Sequence, residues 1–182
     1  VVDVYPAYSR TAIRIELGDD GVTEVSELHP LTGQKLGHLE RAVIYPAKHY
    51  VTTKPELQRA LVNIEAEMRE RAAWFTAHGK LIEAQRLEQR VRYDMEMLKE
   101  LGFCHGIENY SRHLSGRPPG ARPFCLMDYF PADYLLVIDE SHVAVPQIRG
   151  MYEGDQARKK TLVDFGFRLP SAKDNRPLKF AE

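Results

Sequence analysis

Between Thr53 and Gly102 the apolar residues recur at helical spacing, and this run constrains the fold more than any other feature of the chain. Thr53 suits an N-cap, Pro55 falls in the first turn, and Glu56 lies near the positive end of the helix dipole. Leu57, Leu61, Ile64, Met68 and Phe75 then share a stripe. His78-Gly79 breaks the run, glycine being favoured just past a helix end. A second stripe follows in Leu81, Ala84, Leu87, Val91, Met95 and Leu98, and Gly102 closes it. Two amphipathic helices with so short a break predict an antiparallel helical hairpin. Their remaining faces, rich in Arg, Glu and Gln, read as solvated surface with pairs such as Glu65–Arg69.

The first fifty residues follow another period. Val1 to Tyr5 is strand-like, and Ile13-Arg14-Ile15-Glu16-Leu17 alternates apolar and charged residues, as in a strand with one face buried. Gly18-Asp19-Asp20-Gly21 is a turn cluster, and Val22 to Leu28 alternates again, which predicts a hairpin. His29 to Gly33 reads as a second turn, and Ala42 to Tyr45 as a further strand stopped by Pro46. Gly106 to His113 reads as a helical turn or two, Ser115 to Pro123 as a Gly-, Pro- and Arg-rich loop, and Pro170 to Pro177 as another loop. The chain opens without Met, directly in a strand, and stops soon after Phe180, so the expectation is an internal piece of a longer protein.

Composition narrows the function classes. Hydrophobic residues make up 43% of the 182, enough for a real core, which excludes wholesale disorder. The 25 basic and 26 acidic side chains nearly cancel, so any nucleic-acid contact must come from local clusters of Arg and Lys. No apolar run approaches the roughly 20 residues of a membrane span. Cys104 and Cys125 form no disulfide framework, which suits a reducing cytoplasm. Cys104, His105, His113 and Cys125 lack the paired spacing of a structural zinc site.

The sharpest local signal is Leu135-Leu136-Val137-Ile138, a continuous apolar run of strand length ending in Asp139-Glu140-Ser141-His142. Such a run reads as a central strand covered on both faces, and two acids at its carboxyl end would lie where open α/β sheets bind ligands. Nucleotide hydrolysis uses such a pair, one carboxylate for magnesium and the next for the attacking water, with Ser141 and His142 placed to sense the terminal phosphate. The chain has no Gly-x-x-x-x-Gly-Lys-Ser/Thr segment to cradle a triphosphate. The alternative is a surface loop after a core strand.

Longer strings point to a family. Gly79-Lys80-Leu81 through Glu88-Gln89-Arg90, Gly106 to Arg112, Asp139 to His142, Pro146 to Tyr152, Gly166 to Ala172 and Asp174 to Pro177 occur in order. Together they closely resemble the UvrB family of excinuclease components in bacterial nucleotide excision repair, over essentially the whole chain. The resemblance implies a mixed α/β fold in three parts. Residues 1–50 would end a strand-rich UvrA-interaction domain, which also resembles part of the transcription-repair coupling factor. Residues 51–130 would be an inserted helical domain, and residues 131–182 part of the first lobe of a helicase-like P-loop motor. It also implies an ATP- and Mg2+-dependent protein that UvrA loads at damaged DNA and that recruits UvrC. In that scheme this chain alone is inactive, and a docking module without catalysis is the alternative.

The resemblance assigns roles residue by residue. Asp139 and Glu140 match the magnesium and hydrolysis acids, with Ser141 and His142 coupling to ATP. Arg14 and Glu16 match positions that dock on UvrA, and residues two apart on a strand share a face. Glu108 matches an acid that latches a lesion-sensing hairpin. Arg90 and Arg168 match positions near the DNA path, where a permanently charged guanidinium suits phosphate. Phe167 and Tyr50 are candidates for stacking on a base, with core packing as the alternative for each.

Overall fold

The computed structural model describes residues 1–45 and 50–182. The chain divides into two compact units, residues 1–49 and 50–182.

In the first unit the described strands are β1 (Val2–Val4), β2 (Ala12–Gly18), β3 (Gly21–Leu28) and β4 (Lys35–His38). They form an antiparallel meander in chain order. Gly18 pairs with Gly21, so Asp19-Asp20 is a two-residue hairpin loop as the turn cluster predicts. The pleat sorts the side chains. Val2, Ile15 and Val25 lie opposite one another on one face, while Asp3, Arg14 and Ser26 do so on the other.

The strand expected at Ala42–Tyr45 does not form. That segment answers to Tyr8 instead: the Tyr8 hydroxyl donates to Val43 O at 3.2 Å and accepts Tyr45 N–H at 3.1 Å, and the two tyrosine rings meet edge to face. The sheet takes Lys35–His38 as its last strand. With a single apolar residue, that segment carries no alternation to read. Pro46 lies outside the described residues.

The second unit is built on α1 (Lys54–Ala77) and α2 (Leu81–Leu101). Glu56 caps the start of α1, its Oε2 accepting the Thr53 N–H at 3.1 Å and the Thr52 and Thr53 hydroxyls at 2.8 Å each. Gly102 caps α2 in the left-handed conformation. The facing stripes Leu61, Ile64, Met68 and Phe75 of α1 and Leu87, Val91, Met95 and Leu98 of α2 are buried together. Leu81, expected on the second stripe, is exposed. A 3₁₀ turn at Ile107–Tyr110 and the short α3 (Ser111–Ser115) add Ile107, Tyr110 and Leu114 to the same core.

One finding corrects the sequence reading of residues 131–182. Leu135–Ile138 is not a strand, and Leu135 and Val137 are 88% and 78% exposed. A central strand needs neighbours on both sides for its backbone groups, and no described segment of residues 50–182 forms a strand to supply them. Directly after it, α4 (Ser141–Asp164) runs 24 residues, with Pro146 inside it. Residues 50–182 form one compact unit. The chain after α4 returns to the hairpin, where Leu169 enters the same core and Ala172 is fully buried.

Candidate nucleic-acid interface and docking face

On the sheet, Arg14 lies directly opposite Asp3 and binds it through two nitrogens, Nε to Oδ1 at 2.8 Å and Nη2 to Oδ2 at 2.7 Å. The guanidinium holds the Asp3 carboxyl below the usual carboxylate range. Glu16 shares that face and lies opposite Glu24, whose carboxylate is paired with Lys35. The Lys35 ammonium keeps Glu24 ionised to lower pH than usual. Two acids facing one another across strands repel. The Glu24 charge is offset by Lys35, and Glu16 lies on the same face as the Asp3–Arg14 pair, so this face presents charges of both signs side by side.

In the second unit, two residues that the sequence assigned to separate tasks share one basin. Glu108 from the 3₁₀ turn and Arg168 from the chain after α4 line a cavity of about 340 Å3 with Asp155, Arg158 and Lys159 of α4 and with Arg176. Four cations thus face two carboxylates. Not all are equally available. Lys159 is buried, pairs with Asp155 at 2.8 Å and donates to the Asn175 carbonyl. Arg176 is clasped by Glu182 through two bonds of 2.8 and 3.0 Å. Arg168 Nη1 donates to the Phe167 carbonyl at 2.8 Å.

The segment carrying Arg168 is held on both flanks. Gly166 sits at φ +72°, and a Cβ there would lie 2.3 Å from the Glu83 carbonyl oxygen, so the backbones of α2 and this segment touch where only glycine fits. Arg86 of α2 donates to the Phe165 carbonyl at 2.6 Å and lays its guanidinium 4.3 Å from the centre of the Phe167 ring. Downstream, Glu67 of α1 accepts the Ser171 N–H at 2.7 Å and the His113 Nε2 at 2.6 Å. Arg112 bridges Glu67 to Asp174 at 3.3 and 2.8 Å. Sequence reasoning passed over Glu67, Arg112, His113 and Asp174 as functional supports. Each looks like an ordinary surface residue until α1, α3 and the closing segment are brought together.

The other expected contacts are more committed. Arg90 gives Nε to Asp94 at 2.9 Å and Nη2 to the His105 carbonyl at 3.0 Å. Asp94 is buried and also accepts the Tyr110 hydroxyl at 2.7 Å. Burial, reinforced by Asp94, pushes the neighbouring Cys104 thiol up to about 12. Phe167 is partly exposed, with Arg86 over its ring. Tyr50 adopts φ +59° and borders a shallow cleft with Thr52, Glu56 and Leu114.

Asp139 and Glu140 lie at the start of α4, away from this basin's lining. Asp139 Oδ1 accepts the Glu140 N–H at 2.8 Å, and Glu140 Oε2 lies 3.4 Å from His142 Nδ1, with both side chains of that pair exposed. Ser141 begins the helix. No group of three or more His, Cys, Asp or Glu side chains among the described residues is arranged to hold a metal ion. Asp139 and Glu140 are both exposed.

Two family models match the chain. Residues 1–50 match the UvrB interaction domain, and residues 55–116 match the UvrB third helical domain. The chain is 57% identical over its whole length to the UvrABC system protein B of Natranaerobius thermophilus. The proteins of that name from Chloroflexus aggregans and Gemmatimonas aurantiaca are 60% and 59% identical, again across the whole chain. The chain spans 28%, 27% and 26% of the length of these three relatives. Among the described residues, no helix is long and apolar enough to cross a membrane.

Proposed function

The chain belongs to the UvrB family, and we therefore propose that it supplies a UvrA-docking face and a stretch of DNA path to a damage-recognition protein of nucleotide excision repair. The observation that carries this reading is the identity of 57–60% across the whole chain to proteins named UvrABC system protein B. The sheet of residues 1–45 is the docking face, with Arg14 and Glu16 presented together on one side of β2. The basin of Glu108 and Arg168 lies on the DNA path, its surplus of cations suited to backbone phosphates of any sequence. Within a longer chain Glu108 latches a hairpin, the protein recruits UvrC, and its work is cytoplasmic.

The exposed apolar run Leu135–Ile138 supports a further part of the reading. Side chains this apolar favour a covered position. In the longer protein the run is covered by a motor lobe whose strands and phosphate cradle come from outside these 182 residues. ATP and Mg2+ belong to that assembly, with Asp139 and Glu140 as its acids. The 182 residues alone act as a docking and binding module, without turnover.

The test uses a full-length UvrABC system protein B carrying this span. With Arg14→Ala and Glu16→Ala together, loading by UvrA onto damaged DNA is expected to fall well below the unsubstituted level, with thermal unfolding unchanged. Undiminished loading removes the pair from docking.

A further inference from the structure

We propose that Arg158 of α4 is a second nucleic-acid phosphate contact, acting beside Arg168 in the same basin; this rests on the DNA reading of that basin. Of the four cations that line it, Lys159 and Arg176 are held tightly by acids and by backbone. Arg158 is different. Its side chain is 68% exposed, and its link to the protein is a 3.3 Å contact to Asp155 Oδ1. The other oxygen of that carboxylate already carries Lys159 at 2.8 Å. One Asp155 charge is thus divided between two cations, and the exposed Arg158 guanidinium is left undercompensated.

An exposed i,i+3 pair of this kind is worth little and exchanges readily for a stronger anion. A phosphate diester offers two oxygens to the planar guanidinium, a better match than a shared carboxylate. Arg158 sits on a long helix and Arg168 on a segment pinned by Glu67 and Gly166, so the two charges are presented from rigid supports. The occupant is the backbone of a nucleic acid strand, recognised without regard to base.

The experiment is the salt dependence of binding of a fluorescent single-stranded oligonucleotide to the full-length protein carrying this span. Each phosphate contact to a single strand contributes about 0.7 to the magnitude of the log K against log salt slope. Arg158→Gln is expected to weaken binding equally for several sequences and to reduce the slope by about that amount, while Arg158→Lys restores most of the slope. An unchanged slope in Arg158→Gln, with a reduced slope in Arg168→Ala, overturns the proposal and leaves the basin on the DNA path. Unchanged slopes in both remove the basin from the DNA path altogether. Inorganic phosphate at constant ionic strength is expected to displace the strand no better than chloride. Selective displacement would mean a site for free phosphate and would also overturn the proposal.

Discussion

The carboxylate of Glu67 in α1 accepts the backbone N–H of Ser171, 104 residues further along the chain, at 2.7 Å. The same carboxylate takes the His113 ring and the Arg112 guanidinium, so one acid ties the helical hairpin, α3 and the closing segment together. Glu67→Ala is expected to cost about 1–3 kcal/mol, the penalty of leaving buried donors without their acceptor. Urea denaturation at neutral pH measures it.

The acid limb of stability carries the same signature. Burial raises the Glu67 pKa, but His113 and Ser171 outweigh it and hold the carboxyl below its usual range. A group whose folded pKa lies below its unfolded value, about 4.3 for Glu, contributes stability that is fully present above that pH. The contribution is lost as the pH falls through the folded value. Unfolding free energy measured from pH 6 down to 3 should fall less steeply in Glu67→Gln than in the unsubstituted protein.

Gly166→Ala is expected to destabilise by more than about 1 kcal/mol, because the position has positive φ and the new methyl meets backbone that cannot yield. Gly154→Ala in α4 meets nothing within 4 Å and is expected to stabilise by a few tenths to about 1 kcal/mol. Thermal melts of the two variants should therefore move in opposite directions.

Arg90 and Arg168 are expected to separate when stability and DNA binding are measured on the same variants. Arg90→Ala leaves the buried Asp94 with Tyr110 and without its cation, and should lower stability by about 1–3 kcal/mol as well as altering DNA affinity. Arg168→Ala removes a side chain whose hydrogen bond is to the adjacent carbonyl, and should change DNA binding with little effect on unfolding.

Alkylation should distinguish the two cysteines. Cys104 is fully buried with its thiol pushed up to about 12, so it stays protonated at pH 8, whereas Cys125 is partly exposed. Iodoacetamide followed by mass spectrometry is expected to mark Cys125 in the folded protein and Cys104 after denaturation. Modification of Cys104 at the same rate would contradict its burial.

The outcome at Leu135–Ile138 shows where sequence patterns stop. A short apolar run without alternation fits a buried strand, yet strand formation depends on partners from elsewhere in the chain, and here no described segment provides them. The helix that follows was hidden by Pro146, Gly150 and Gly154, residues that signal breaks when read one at a time. In the first unit, β4 was missed for lack of alternation, while Ala42–Tyr45 looked like a strand and is held by Tyr8 instead.

The β2–β3 hairpin and the α1–α2 pair were legible residue by residue, because period, caps and turn residues act within one or two turns of chain. Family membership was equally legible, carried by ordered strings of residues. That Glu108, Arg158 and Arg168 line one basin, and that Glu67 grips Ser171, emerged only when the chain was folded. Those contacts join segments tens of residues apart, and which surfaces meet is fixed by how the shared core of α1, α2, α3 and the closing segment packs, not by the preferences of any local stretch.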